Sequence, residues 1–267
     1  MSVTRLMYSV AGSPLDVLSL VRSARLPLPP SSIRLRFLAA PINPSDINQI
    51  QGVYPVRPAF PAVGGNEGVA RVIEIGPDAA AALAASGLPP LRVGDHVIPA
   101  GSGFGTWQTE TVASPNDVIK IDPRLDIASA ATISVNPCTA LRLLSDFGSL
   151  QPGDAVIQNA ANSAVGMAVI QMARIRGIKT VNIIRKRADN PDVEKDLKSL
   201  GADVVIGEEQ LRGLFVDKGP LEKGGIVGGI RLALNAVGGP STTDMMRLLA
   251  YANWVWEGCD WWRRKRK

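Results

Sequence analysis

The residues most suited to chemistry are gathered between positions 42 and 68. The run Ile42-Asn-Pro-Ser-Asp-Ile-Asn-Gln-Ile-Gln-Gly-Val-Tyr-Pro is followed, after Arg57-Pro58, by Pro61-Ala-Val-Gly-Gly-Asn-Glu-Gly-Val. Asn43-Pro44, Gln51-Gly52 and Gly64-Gly65 are turn punctuation that can bring several polar groups to one place. Within this stretch Tyr54, between Gly52-Val53 and Pro55, is the one phenol. A phenol on a fixed turn can donate a hydrogen bond or a proton. A Tyr beside Gly and Pro can equally be a packed aromatic with its hydroxyl satisfied, and the stretch alone leaves both open.

A second group lies further along, in Gln158-Asn-Ala-Ala-Asn-Ser-Ala-Val-Gly166. It joins a buried apolar run to an amphipathic one, the place where a parallel α/β sheet sets a pyrophosphate on a helix N-terminus. It is not a G-x-G-x-x-G motif; Gly166 alone stands where close helix packing wants a glycine. Asn162 and Ser163 are then expected to supply side-chain hydrogen bonds that glycines would leave to the backbone, although the same residues also suit a helix cap with no ligand. Nineteen residues beyond Gly166 stands Arg185-Lys186-Arg187. An NAD site places an acidic residue about 20 residues on, to hold the ribose 2′-hydroxyl. Guanidinium forks there bind a 2′-phosphate instead, so this turn favours NADPH over a merely solvated basic loop.

The elements that must position these groups change character part-way along the chain. Up to about residue 125 the pattern is β-rich. Ile33, Leu35 and Phe37 alternate with Arg34 and Arg36 at the period of a half-buried strand, and short strands are expected at Gly68–Gly76, Gly94–Pro99 and Gly105–Val112. Ala-rich 78–91 reads as a surface excursion. From Asp126 the pattern is helical, and Asn136-Pro137 restarts a helix as N-cap and first residue. Cys138, just inside it, is expected to be buried packing. Strands at 154–159, 179–185, 203–206 and 231–237 then alternate with helices at 163–176, 193–200 and from Glu208. Such alternation makes βαβ units on a parallel sheet, a Rossmann-type half. The domains are therefore read as 1–125, 126–250 and a tail, 251–267.

Composition narrows the function classes. The chain has 267 residues and 46% apolar content, enough for a real core. No apolar run approaches the roughly 20 residues of a membrane span, and neither a secretory signal nor an Arg/Ser-rich transit peptide is visible at the start. Two cysteines and one histidine, His96, make no zinc-ligand pattern and no disulfide framework. His96 is expected to be a partly exposed strand residue. The net charge of +5 equals the five basic residues of 263–267, so basicity belongs to the tail and gives no sign of nucleic-acid binding.

The chain resembles the trans-2-enoyl-thioester reductases of mitochondrial fatty acid synthesis, a zinc-free branch of the medium-chain dehydrogenase/reductase superfamily, from about Arg5 to Ala250. The most specific segments are Ala40–Gly52, Pro61–Val69, Val135–Ala140 and Gln151–Ala160. The resemblance implies an α/β protein: a GroES-like catalytic domain, then a Rossmann-type NADPH domain, with the active site in the cleft between them. It implies that Tyr54 is the catalytic tyrosine, and that Asn136, Asn162, Ser163, Ala164, Val165, Arg185, Lys186 and Arg187 contact NADPH. The implied reaction is hydride transfer to C3 of a trans-2-enoyl thioester on acyl carrier protein or coenzyme A, with protonation at C2. A mitochondrial location and a homodimer belong to the same implication.

After Ala250 the resemblance implies another glycine-bearing strand and a return to the catalytic domain. Residues 251–267 instead hold four of the five tryptophans. They are expected to be an aberrant, frame-shifted or mis-spliced tail, leaving the sheet edge beside Arg231–Val237 unpaired. Two other readings stay open: a zinc-free NADPH quinone reductase of the same superfamily, and a truncated product without activity.

Overall fold

The computed structural model describes residues 2–85, 87, 89–185 and 191–257. They divide into two compact units, with the division between Val135 and Asn136. In the first, β1 (Ser2–Tyr8), α1 (Pro14–Val17), β2 (Ser19–Ala24), β3 (Ile33–Ala39), α2 (Pro44–Ile50), β4 (Ala62–Val63), β5 (Val69–Ile75), α3 (Ala79–Ala85), β6 (His96–Pro99), β7 (Glu110–Ala113), β8 (Val118–Lys120) and α4 (Ile127–Thr132) follow one another. The strands form a three-stranded sheet, β2-β1-β4, and a five-stranded antiparallel sheet, β7-β3-β5-β6-β8. Ile33, Leu35, Val72 and Val97 make the core of the larger one.

β3 carries the alternating sequence expected of it, but only one of its two arginines is solvated: Arg36 is exposed and Arg34 is not. Arg34 is 4% exposed. Its Nε donates to Glu74 Oε2 at 2.8 Å and its Nη2 to the carbonyl of Leu26 at 2.8 Å. The strand register supplies the partners: Arg34 stands opposite Glu74 on β5, and Arg36 opposite Glu110 on β7. Opposed cross-strand charges support pairing, and a buried guanidinium needs such acceptors. The strand expected over Gly105–Val112 is shorter, because residues 105–109 bend to accept the edge of β1 through an isolated Arg5–Gln108 bridge.

The first unit continues past the boundary read from the sequence. α4 begins at its cap Asp126, whose side chain accepts from Ser129 N, and buries Ala130 and Ala131 with Val69 and Ile98 of β5 and β6. That packing places it with the β-rich unit and moves the division to residues 135 and 136.

The second unit runs α5 (Asn136–Asp146), β9 (Ala155–Gln158), α6 (Ala164–Ile175), β10 (Lys179–Ile184), α7 (Val193–Leu200), β11 (Val204–Gly207), a 3₁₀ segment Glu208–Phe215, α8 (Gly219–Lys223), β12 (Ile230–Asn235), α9 (Pro240–Arg247) and β13 (Leu249–Glu257). Its strands form a parallel sheet ordered β11-β10-β9-β12-β13. β9, β10 and β12 are almost wholly buried, as strands covered on both faces require. Two expectations are corrected here. The edge beside β12 is paired, since residues 249–257 lie parallel to it, and so part of the tryptophan-rich segment is a strand. Cys138 is exposed rather than buried, because α5 turns Ala140, Leu143 and Leu144 inward instead.

The ion cluster on β3 predicts an acid-sensitive term in stability. Burial alone would raise the Glu110 pKa, but hydrogen bonds and charge from Arg36 and Arg25 outweigh it and hold the carboxyl below its ordinary range. A carboxylate of depressed pKa stabilises fully above its unfolded value, and that contribution is lost as pH falls through the folded one. Glu110→Gln is expected to melt below the parent at neutral pH, with the gap closing as the pH drops below about 4.3; thermal unfolding followed against pH measures it.

Candidate functional site

The stretch around Tyr54 is a helix followed by a loop, rather than a series of turns. Asn43 is the N-cap of α2 and Pro44 its first residue, the arrangement expected at Asn136-Pro137, where Asn136 is instead the first residue of its helix. Asp46, one turn in, accepts from the Asn43 amide at 2.7 Å, half of a capping box. After Ile50 the chain leaves through Gly52, whose φ of 73° is open to glycine, and Tyr54 follows, half-buried.

Beneath this loop lies a polar cluster that the sequence reading did not single out. Asp46, Gln49, Asn66 and Glu67 are all 8% exposed or less. Asp46 Oδ1 accepts from both the amide and the side chain of Asn66, at 3.0 and 2.7 Å. Asn66 Nδ2 also donates to Gln49 Oε1 at 3.0 Å, and Asn66 Oδ1 accepts from Gly103 N at 2.7 Å. Gln49 Nε2 in turn donates to the carbonyl of Val56, two residues after Tyr54, at 3.2 Å. Glu67 accepts from Asn43 Nδ2 at 2.7 Å, and from Ser134 Oγ and Val135 N at 3.0 Å each. The signal was available: six amide or carboxylate residues in Asn43–Gln49 and Asn66-Glu67, flanked by apolar residues, have to satisfy one another if the flanks are core.

The far side of the loop is held by apolar contact. Phe60 meets the ring of Tyr8 edge-on, with centroids 5.5 Å apart, and Tyr8 packs with Ile50 and Ala62. Burial pushes the Tyr8 phenol up, with the charge of Asp46 adding to it, so Tyr8 remains protonated. Trp107 closes the base, donating from Nε1 to the carbonyl of Pro41 at 3.0 Å. Gly64 is required there, since a Cβ would lie 2.5 Å from the Trp107 ring. His96 lies on β6, half-buried, in a separate part of the sheet. Among the described residues, no group of three His, Cys, Asp or Glu is placed to hold a metal ion.

In the second unit the carboxyl ends of β9, β10 and β12 open on a cavity of about 250 Å³. Asn159, Ala160, Asn162, Arg185, Glu208 and Val237 are among its lining residues. Ser163 caps α6, its Oγ accepting from Gly166 N at 3.1 Å. The amides of Ala164 and Val165 begin the first turn, where helix hydrogen bonding leaves donors over. Gly166 is the tight point: a Cβ would stand 2.5 Å from the carbonyl oxygen of Ala161. The turn is fixed by Ala160, in the left-handed region at φ 50°, and by Ala161 N donating to the Ile183 carbonyl.

Two further polar pairs shape the same strand ends. Asn159 donates to Asn235 Oδ1 at 2.7 Å and accepts from Ala236 N at 2.7 Å, while Asn235 accepts from Gly238 N at 2.9 Å. Gln158 bridges the carbonyl of Gly166 and the side chain of Asn182. Of the cofactor residues expected, the structure brings Asn162 and Arg185 to one cavity and places Ser163, Ala164 and Val165 at its helix. Asn136 starts α5 and is not among the cavity's lining residues. Lys186 and Arg187 lie outside the described residues. Arg185 is not alone: its Nε stands 3.5 Å from Glu208 Oε2. That carboxylate comes from the end of β11, too far along the chain for a spacing rule to have placed it.

Residues 29–123 match the alcohol dehydrogenase GroES-like domain. The mitochondrial enoyl-acyl-carrier-protein reductase of Xenopus tropicalis is 49% identical over 252 residues, covering 92% of this chain and 67% of that protein. The human protein of the same name is 48% identical, covering 93% of this chain and 63% of that one. This chain belongs to the mitochondrial enoyl-acyl-carrier-protein reductase family. It spans about two thirds of the length of those relatives. Among solved structures, the complex of Etr1p with NADP and crotonyl-CoA matches with a TM-score of 0.84 and 34% identity, covering 96% of this chain and 74% of that one. Etr1p also forms part of the mitochondrial 2-enoyl thioester reductase heterodimer from Candida tropicalis. The family accounts for both folds found here, a GroES-like β-rich unit and a parallel α/β unit.

Because the nearest atom to a Cβ at Gly166 is backbone, the β9–α6 turn has to shift to admit one. Gly166→Ala is expected to destabilise the chain by about 1–3 kcal/mol, measured by chemical denaturation.

Proposed function

We propose that this chain carries the NADPH-dependent reduction of trans-2-enoyl thioesters, on acyl carrier protein or coenzyme A, to the saturated thioesters. The observation that carries the reading is the cavity at the α6 N-terminus, bounded by Asn162 and Arg185, in a chain of this family. A volume of about 250 Å³ suits one end of a dinucleotide, being below the roughly 300–1,000 Å³ of a whole small-molecule site. The donor set fits an anion: helix amides, an Asn side chain and the Arg185 guanidinium, with Glu208, the carboxylate among the lining residues, as the guanidinium's resting partner.

In this reading the first turn of α6, with Ser163, Ala164 and Val165, holds the pyrophosphate, Asn162 and Asn136 contribute side-chain hydrogen bonds, and Arg185, followed by Lys186 and Arg187, takes the 2′-phosphate. When bound, NADPH supplies the hydride that C3 of the enoyl thioester accepts. Tyr54 acts on the other end of the conjugated system. As C3 becomes saturated, negative charge gathers on the thioester oxygen, and a neutral phenol donating to that oxygen lowers the barrier. The proton that completes the product goes to C2, given or relayed by the same hydroxyl. No group with metal-ligand chemistry enters this scheme. The names of the relatives support a mitochondrial location; the matrix as the compartment and a homodimer as the assembly are part of the proposal. No helix among the described residues is long and apolar enough to cross a membrane.

Two substitutions test the two halves separately. Tyr54→Phe is expected to lower kcat by about 10²–10³-fold, the cost of one donor to a developing oxyanion, with the NADPH dissociation constant little changed. Equal turnover refutes the role, and NADPH oxidation with a quinone but not with crotonyl-CoA refutes the reaction. Arg185→Ala is expected to weaken NADPH by about tenfold, as for one charge-assisted hydrogen bond, and to leave NADH unaffected; cofactor fluorescence titration measures both.

A further inference from the structure

A chain of side-chain hydrogen bonds through Asp46, Asn66 and Gln49, all three buried, ties the Tyr54 loop to the folded body. Asn66 is its centre. Its amide N–H and Nδ2 both reach Asp46 Oδ1, its Nδ2 also reaches Gln49 Oε1, and its Oδ1 takes the amide of Gly103. Gln49 then has its oxygen committed to Asn66, which turns its NH₂ outward to the carbonyl of Val56 at 3.2 Å. Neither amide can be flipped without setting donor against donor or acceptor against acceptor. Asp46, as a carboxylate, can only accept, so it fixes the orientation of Asn66, and Asn66 fixes that of Gln49.

We infer that Gln49 and Asn66 are positioning residues for Tyr54, acting through the Val56 carbonyl to set where the phenol stands. The inference rests on the reading of Tyr54 as the donor to the thioester oxygen. It adds a cause for the placement of that donor. The chain from Gly52 to Phe60 contains no helix or strand, and the Val53 amide on Asn48 O, the Val56 carbonyl on Gln49 and the Phe60 ring on Tyr8 are among the contacts that anchor it. The Val53 and Val56 contacts stand on either side of Tyr54 in the chain. A donor to a developing charge must stay within a few tenths of an ångström of its place to keep its effect, so a loop with one bracket released loses rate before it loses fold.

The order of donors and acceptors gives a test that a purely structural role does not pass. Gln49→Glu keeps an oxygen for Asn66 and nearly the same volume. As a carboxylate it sets an acceptor against the Val56 carbonyl; protonated, it regains a donor. The expected result is a fall in kcat with KM for the enoyl thioester little changed at neutral pH, recovering on acidification, so that the pH profile carries one added ionisation that neither the parent nor Gln49→Ala shows. Gln49→Ala is expected to be low throughout. Hydrogen exchange of the peptide spanning residues 51–60 is expected to quicken in Gln49→Ala and in Asn66→Ala, with exchange in β9 and β10 unchanged.

A double-mutant cycle separates the possible failures. In a Tyr54→Phe background, Gln49→Ala is expected to cost little further turnover, because the group it positions is already gone. Additive losses overturn the inference while leaving Tyr54 its role. A flat pH difference between Gln49→Glu and Gln49→Ala, or unchanged exchange at 51–60, also overturns it. If Tyr54→Phe alone has full turnover, the reading of Tyr54 falls, and the inference falls with it.

Discussion

The carboxylate of Asp46 has to be satisfied where its residue is 1% exposed. It takes the amide of Asn43, the amide of Asn66 and the side chain of Asn66. A buried carboxylate stripped of its donors is among the costliest defects a small unit can carry, so these three bonds fix three things at once. They set where α2 starts, where the Gly64–Gly68 segment passes beneath it, and which way the Asn66 amide faces. The loop that carries Tyr54 inherits its geometry from that last choice. The neighbouring carboxylate, Glu67, does the same for the end of the first unit by gathering Asn43, Ser134 and Val135.

The second unit solves its site with neutral groups. Asn159, Asn235, Gln158 and Asn182 are each 4% exposed or less, and they satisfy one another and the nearby backbone at the strand ends. Amides carry donor and acceptor together, so a network of them can be closed without importing charge. The charge in this region is kept at the surface, in Arg185 and Glu208, where an anion can reach it.

Much of this was legible in the residues. Alternation located β3, the switch of period at Asp126 announced helices, and the parallel α/β half followed from strands alternating with helices. Gly166 was singled out for close packing, and its surroundings are as crowded as that requires. What was missed has a common physical reason: it depends on partners remote in the chain. The burial of Arg34 follows from the Leu26 carbonyl and from register with Glu74. The inclusion of α4 in the first unit follows from packing on β5 and β6. The pairing of β13 with β12 depends on backbone hydrogen bonds, to which an odd tryptophan content is no bar. The helix at Pro44 is a different kind of miss. Its cap pattern was present in the sequence, and was obscured by reading Asn-Pro only as a turn.

The Arg185–Glu208 contact has a consequence for how the cavity meets a charged visitor. On the proposed reading, a phosphate coming to Arg185 does not fill a vacancy; it exchanges with a tethered carboxylate that never leaves the protein. Such a site behaves as an ion exchanger with a built-in counterion. Added salt loosens the internal pair as well as the external one, and the two effects oppose each other. Affinity for a phosphorylated ligand then varies less steeply with ionic strength than a bare guanidinium would dictate.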